Sequence, residues 1–314
     1  MLSRVADSLY WLGRYSERTE TNAHILDLQL EQMLERSATD PAACDEWRMI
    51  ISICGYIEDF GARYGKFDDI AQLAHYMIQD PKNFNAIGQL ITYIRANARN
   101  ARDIIPNDLW VNWNELYLNY QDQQVNIDNK QHIASYLAEV RKTALITTGV
   151  VDSLMTRDEG FLFIKIGKWI ERSEKTALIV SHLLEQDNEL IRDFRANFAL
   201  QLTNAHEEYT RRFRLRESDE VLNFLMGDLK CSRSVAYGVR KIKDSIADIE
   251  GKEMRPYAEK MVQAIESIEQ LLQQDAKLLT VIERKKWVNE IRQQCTDFGP
   301  LFSQTYYLTK PILI

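Results

Sequence analysis

The chain has 314 residues, with 39 Lys+Arg against 46 Asp+Glu and a formal net charge of −7, a balance that argues against the phosphate backbone of nucleic acid as its main partner. Only 12 Gly and 6 Pro in this length leave too few turns for an all-β fold. None of the four cysteines (Cys44, Cys54, Cys231, Cys295) forms a CxxC pair, which excludes zinc-ribbon and thioredoxin-like readings and predicts free thiols in a reducing compartment.

The first predicted element starts at the N-terminus. MLSRVADSLYWLGRY carries Arg4 and Asp7 and has no apolar leader core, so no signal peptide is expected. Leu9, Leu12, Ser16, Thr19, Ala23, Leu26, Leu30 and Met33 recur at three- and four-residue steps and draw one stripe on a helix. Asp40-Pro41 and Asp80-Pro81 read as N-caps followed by proline at the first helical position. Pro106 and Pro256 mark further boundaries, and Gly299-Pro300 is expected to interrupt the last element. Arg95, Arg99 and Arg102 form a cationic ridge on one predicted helix, and Arg211, Arg212, Arg214 and Arg216 a second basic cluster; both are expected to be solvated faces or internal ion pairs. Trp110, Trp113, Tyr117 and Tyr120 recur at helical spacing in 108–120, and core packing is their expected role. The apolar tail QTYYLTKPILI is expected to pack on the body or on a partner. No stretch approaches 18 uncharged apolar residues, and FLFIKIGKWI is broken by Lys165 and Lys168, so no membrane span is expected and the protein is placed in the cytoplasm.

One segment occurs twice. Residues 9–26 read LYWLGRYSERTETNAHIL and residues 163–180 read FIKIGKWIERSEKTALIV, pairing Gly13, Glu17, Arg18, Glu20, Ala23 and Ile25 with Gly167, Glu171, Arg172, Glu174, Ala177 and Ile179. A weaker match continues beyond it: Phe60, Arg63, Tyr64 and Asp80 align with Tyr209, Arg212, Phe213 and Asp228. The expected architecture is all-α, an internally duplicated helical bundle of about a dozen helices, with related halves 1–150 and 151–314 packed about a pseudo-two-fold into one body.

On a 3.6-residue turn, Glu17, Glu20, His24 and Gly13 fall on one flank of the apolar stripe, while Arg14 and Arg18 fall behind it. The second copy places Glu171, Glu174 and Gly167 on the flank, and Lys168 and Arg172 behind. A glycine inside a helix costs about 1 kcal/mol relative to Ala. Gly13 and Gly167 at matching positions therefore predict close approach by another backbone or a ligand. Three readings of the charged residues follow: ion pairs bridging helices, with Arg18 reaching a carboxylate on a neighbouring element; a binding site for a ligand or partner; or an enzyme using Glu17 and Glu171 as acid and base where the halves meet. The other motifs are missing. There is no Glu-x-x-His, HExxH, GxGxxG, GxxxxGK[ST] or GxSxG, so no metal and no cofactor are predicted.

The two charged segments, MLSRVADSLYWLGRYSERTE and MTRDEGFLFIKIGKWIERSEKTA, resemble the bacterial alpha-E domain family, a predicted helical domain with an ER motif. The resemblance covers essentially the whole chain. Glu17-Arg18, Glu171-Arg172 and Arg157-Asp158-Glu159 correspond to the family's signature positions. Ser16 and Thr19 are more polar than the pattern, and Lys168 stands where Arg is usual, which removes bidentate pairing there. The resemblance implies a non-catalytic accessory partner of a circularly permuted ATP-grasp ligase and a transglutaminase-like protein, in a peptide-bond-forming or peptide-tagging system. The binding candidates are thus Arg14, Glu17, Arg18, Glu20, Arg157, Asp158, Glu159, Lys168, Glu171, Arg172 and Glu174. The oligomeric state and the ligand stay open at this stage.

Overall fold

The computed structural model describes residues 3–33, 41–122, 124–185, 189–214, 217–251 and 256–306. These residues form fourteen α-helices and no strand: α1 Ser3–Gln32, α2 Pro41–Cys54, α3 Ile57–Tyr64, α4 Ile70–Ile78, α5 Ile87–Asn100, α6 Asn107–Asp122, α7 Lys130–Leu154, α8 Glu159–Leu183, α9 Glu189–Leu202, α10 His206–Arg212, α11 Ser218–Gly227, α12 Val235–Glu250, α13 Glu259–Leu271 and α14 Val281–Thr305. The fold is all-α, as the periodicity predicts. Several starts carry local signals: Asp69, Asn129, Asp158 and Ser234 accept backbone N–H groups as N-caps, and Thr280 and Glu283 form a capping box.

Two proline expectations are corrected. Pro81 begins no helix; α5 starts only at Ile87. Asp80 organises the turn instead, accepting the Lys82 N–H at 2.9 Å, the Tyr64 hydroxyl at 2.9 Å and the Arg63 guanidinium. Gly299-Pro300 does not interrupt α14, which runs through Pro300. An interior proline costs about 3 kcal/mol. Here Phe298 and Phe302 on either side are buried, with Phe302 stacked 5.2 Å from Tyr10 and set edge-on 5.7 Å from Phe163, which offsets the lost hydrogen bond. Pro41 does open α2; its cap candidate Asp40 lies outside the described residues, as do Arg216 and residues 307–314 of the tail.

The chain divides into two compact units, residues 1–14 with 157–314, and residues 15–156. In the first, α8 is the central rod. Buried residues cover nearly its whole circumference, from Leu162 and Phe163 through Ile166, Trp169 and Ile170 to Val180 and Leu183. Helices α12 and α14 pack along it, and α13 packs on α14.

In the second unit α5, α6 and α7 pack in succession. The aromatic stripe of α6 is divided between core and edge. Trp113 is fully buried, while Trp110 and Tyr117 are half-buried beneath the arginine ridge. Arg95 stands 4.4 Å from the Tyr117 ring and donates to Asn114 Oδ1 at 2.8 Å; Arg102 covers Trp110 at 5.6 Å. The ridge and the stripe are therefore one packed surface.

Residues matched by the weaker alignment occupy equivalent local settings. Phe60 stacks on Tyr64 at 5.0 Å and meets Tyr76 edge-on, with Arg63 over Tyr64 and Tyr76 and bound to Asp59 and Asp80. Tyr209 stacks on Phe213 at 4.7 Å and meets Phe224 edge-on, with Arg212 over Phe213 and Phe224 and bound to Glu208 and Asp228.

Candidate functional site

In the first unit α1 and α8 cross at the two glycines. A Cβ built on Gly13 would overlap the carbonyl oxygen of Ile164 and stand 3.1 Å from the Lys168 nitrogen; one built on Gly167 would overlap the Tyr10 carbonyl oxygen and stand 3.2 Å from the Arg14 nitrogen. The close approach expected at these positions is thus made by backbone. Each glycine Cα–H points at a carbonyl of the other helix, the geometry of the weak C–H···O contacts found at helix crossings.

This approach brings Arg14 beside α8. Its Nε donates to Glu171 Oε2 at 2.8 Å, Nη2 lies 2.8 Å from the same oxygen and bonds Glu174 Oε2, and Nη1 donates to the Tyr10 hydroxyl at 3.2 Å. Arg14 and Glu171 are 6% and 2% exposed. Helix α14 closes over the cluster at Gly299, where a Cβ would come within 2.8 Å of Arg14 Nη1 and 3.6 Å of Glu174 Oε1. Burial alone would make the guanidinium less basic, but the charges of Glu174, Tyr10 and Glu171 outweigh it and hold Arg14 well above its usual range. Burial, reinforced by Glu174 and Glu171, pushes the Tyr10 hydroxyl up. The arrangement is an arginine–dicarboxylate cluster in which Arg14 and Glu171 are buried and the Glu174 side chain remains 20% exposed.

The placement of Arg14 behind the apolar stripe is therefore corrected. Helix α1 buries Leu12, Gly13, Arg14, Ser16, Glu17, Thr19 and Glu20, a face that extends well past the apolar stripe and takes in Arg14, while Trp11, Tyr15 and Arg18 are half-buried. In the first unit the cation that bridges helices is Arg14.

Arg18 and Arg172 bind turns instead. In the second unit Arg18 Nη1 donates to Asn85 Oδ1 at 3.0 Å, and Asn22, one helical turn on, donates to the Asn85 carbonyl at 3.3 Å. In the first unit Arg172 Nη1 donates to the Ser232 carbonyl at 3.2 Å, and Thr176, one turn on, donates to the Arg233 carbonyl at 2.9 Å. Asn85 precedes α5 and Ser232 precedes α12, so each arginine holds the turn that launches a packed helix. Asp80 and Asp228 anchor the same turns from the other side: Asp228 accepts the Lys230 and Cys231 amides and the Arg212 guanidinium.

Glu17 and Glu20 are buried on α1 in the second unit. The Lys168 ammonium lies 5.1 Å from the Trp169 ring. Arg157 sits 4.2 Å from the Phe161 ring, Asp158 caps α8 by accepting the Gly160 and Phe161 amides, and the exposed Glu159 opens the helix. Tyr10, Asn22 and Thr176 are not among the candidates the sequence offers, and Gly299 enters there only as a helix break. Tyr10 carries one legible signal, its i−4 spacing from Arg14. Among the described residues the four cysteines are free thiols, no group of three or more His, Cys, Asp or Glu is placed to hold a metal ion, and no helix is long and apolar enough to cross a membrane.

A helical fold whose Glu-Arg segments bury their glutamates and send their arginines to turns defines a class, the ER-motif helical domain. The chain belongs to the Alpha-E family, described as a predicted alpha-helical domain with a conserved ER motif, whose model matches residues 1–307. It is 26% identical over 279 residues to uncharacterized proteins of Mycobacterium bovis and of two strains of Mycobacterium tuberculosis. The match covers 82% of this chain but 31% of each relative, so the chain spans about a third of their length. No solved structure matches the chain significantly.

Proposed function

We propose that the chain is a non-catalytic helical binding and scaffold module, an accessory partner of an ATP-grasp peptide ligase. The observation that carries this reading is the burial of the Arg14–Glu171 pair. A carboxylate held by an arginine, with its side chain 3% exposed, has no path to a substrate, so Glu171 is a poor acid or base despite its position in the motif. The arginines of both ER pairs each hold a turn, which fits a motif that fixes helix geometry. The matched local settings of Arg63 with Arg212 and Arg18 with Arg172 favour an internal duplication as the origin of the two related halves.

The partner class rests on the family resemblance: the ligase and transglutaminase-like neighbours, and fusions to them, that it implies. The length of the mycobacterial relatives is compatible with it, since the matching region there is joined to a larger remainder of chain. A pull-down with the ATP-grasp protein encoded beside this chain tests the reading. A complex at micromolar concentration is the expected result, and free elution of both proteins overturns it. An enzyme reading keeps Glu17 as its remaining candidate; its test is whether Glu17→Gln removes any activity found in the assembled system while leaving the complex intact.

A further inference from the structure

We propose that the arginine ridge at the end of α5 is a docking surface for an acidic peptide segment, with the ring stripe of α6 as its floor. This proposal rests on the second unit alone and stands whether or not the chain serves a ligase. Arg95 and Arg99 lie one turn apart on α5, about 6 Å along its axis, and Arg102 follows in the turn that ends the helix. The Arg95 guanidinium lies 5.7 Å from the Trp110 ring and 4.4 Å from the Tyr117 ring, and Arg102 lies 5.6 Å from Trp110. Two of the three cations thus share one indole and belong to one surface.

Neutral acceptors hold this ridge. Arg95 Nε donates to Asn114 Oδ1 at 2.8 Å and Arg102 Nη2 donates to Asn107 Oδ1, while Arg99 is exposed. Among the described residues no carboxylate pairs with any of the three. The other basic cluster differs, since Arg211 is paired with Glu207 and Arg212 with Glu208 and Asp228. The acids of α6 are turned away: Asp108, Glu115 and Asp122 fall about 120–160° round the helix from Trp110, and all three are exposed. Asp103, next to Arg102 in the chain, is exposed and makes no ion pair among the described residues. In a chain of net charge −7, a face kept cationic in this way complements a run of carboxylates. The rings and asparagines hold Arg95 and Arg102 in place beforehand, so little side-chain freedom is lost when they grip an oxyanion. Ile104, two residues past Arg102, and Leu118, one turn past Asn114, are 38% and 45% exposed and offer contact to apolar side chains between the acids. Single-stranded nucleic acid fits less well: it needs open ring faces for its bases, whereas Trp110 and Tyr117 are half-buried and carry guanidiniums.

The test is fluorescence anisotropy of the whole chain with dye-labelled octaglutamate, octaglutamine and an oligouridylate of the same length, at ionic strength fixed with sodium chloride. Saturable binding of octaglutamate is expected, with octaglutamine and the oligouridylate bound at least about tenfold more weakly. Arg95→Gln and Arg99→Gln are each expected to weaken octaglutamate binding at least about tenfold. Lys142→Gln, exposed on α7 of the same unit, is expected to bind as the unaltered chain does. The proposal is overturned if octaglutamate does not bind saturably, or if the oligouridylate binds as tightly or tighter. It is equally overturned if Arg99→Gln, folded by circular dichroism, binds octaglutamate as before.

Discussion

Gly13 and Gly167 are reciprocal: each presents its bare Cα to the carbonyl three residues before the other, Gly13 to Ile164 and Gly167 to Tyr10. The crossing they permit brings the Arg14 guanidinium within 2.8 Å of Glu171. Backbone proximity and the buried ion pair are thus one feature, and the helix-propensity penalty of two glycines is offset by the contact they allow.

This relationship predicts an inversion of the ordinary glycine rule. Replacing a mid-helix glycine by alanine stabilises an exposed helix by about 1 kcal/mol. Gly149, exposed in α7 with open space around it, is expected to follow that rule. Gly13→Ala and Gly167→Ala are expected to destabilise the protein by about 1–3 kcal/mol, the scale of overpacking in a core. Urea unfolding of the three variants checks this, and equal gains at all three positions would count against the crossing.

Acid sensitivity follows from Asp80 and Asp228. Burial works to raise both carboxyls. For Asp80 the Lys82 amide, the Tyr64 hydroxyl and Arg63 outweigh it; for Asp228 Arg212 and the Lys230 and Cys231 amides do so, and both groups end below the usual range. A carboxyl whose folded pKa lies below its unfolded value of about 3.9 stabilises the fold above that pH, and the stabilisation disappears as pH falls through the folded value. Asp80→Asn and Asp228→Asn are each expected to lower stability at neutral pH and to flatten its fall below about pH 4. Unfolding midpoints measured across that range check the prediction; an acid limb as steep in both variants as in the unaltered protein would refute it.

The thiols should separate by reactivity. Burial pushes the Cys231 thiol up to about 11, and burial with the nearby Glu174 charge pushes Cys295 up further. The thiolate is the reactive form. Cys44 is only half-buried. A thiol reagent near neutral pH is expected to label Cys44 first and to reach Cys231 and Cys295 only on denaturation, as mass spectrometry of the labelled peptides would record.

Much of this was legible in the residues. Scarce glycine and proline with three- and four-step periodicity dictate an all-α chain, and two glycines at matching helical positions announce a close approach. The direction of Arg14 was not legible. A single apolar stripe implies a solvent face opposite it, whereas the buried face of α1 extends round to Arg14. Its partner Glu171 lies 157 residues away, a pairing that no helical spacing reveals. The turn carbonyls of Ser232 and Arg233 are equally silent, because every residue carries one. Pro81 and Pro300 misled for the same reason: their local preference yields to the Asp80 turn and to the packing of Phe298 and Phe302.

The central claim is that the Arg14–Glu171 pair is a sealed structural element. A double-mutant cycle with Arg14→Met and Glu171→Met, read by chemical denaturation, tests it most directly. Each single change should cost about 3–5 kcal/mol by orphaning a buried charge. The double variant should lose less than the sum, with a coupling of about 1–3 kcal/mol. Losses that simply add, or single variants as stable as the unaltered chain, would contradict the account.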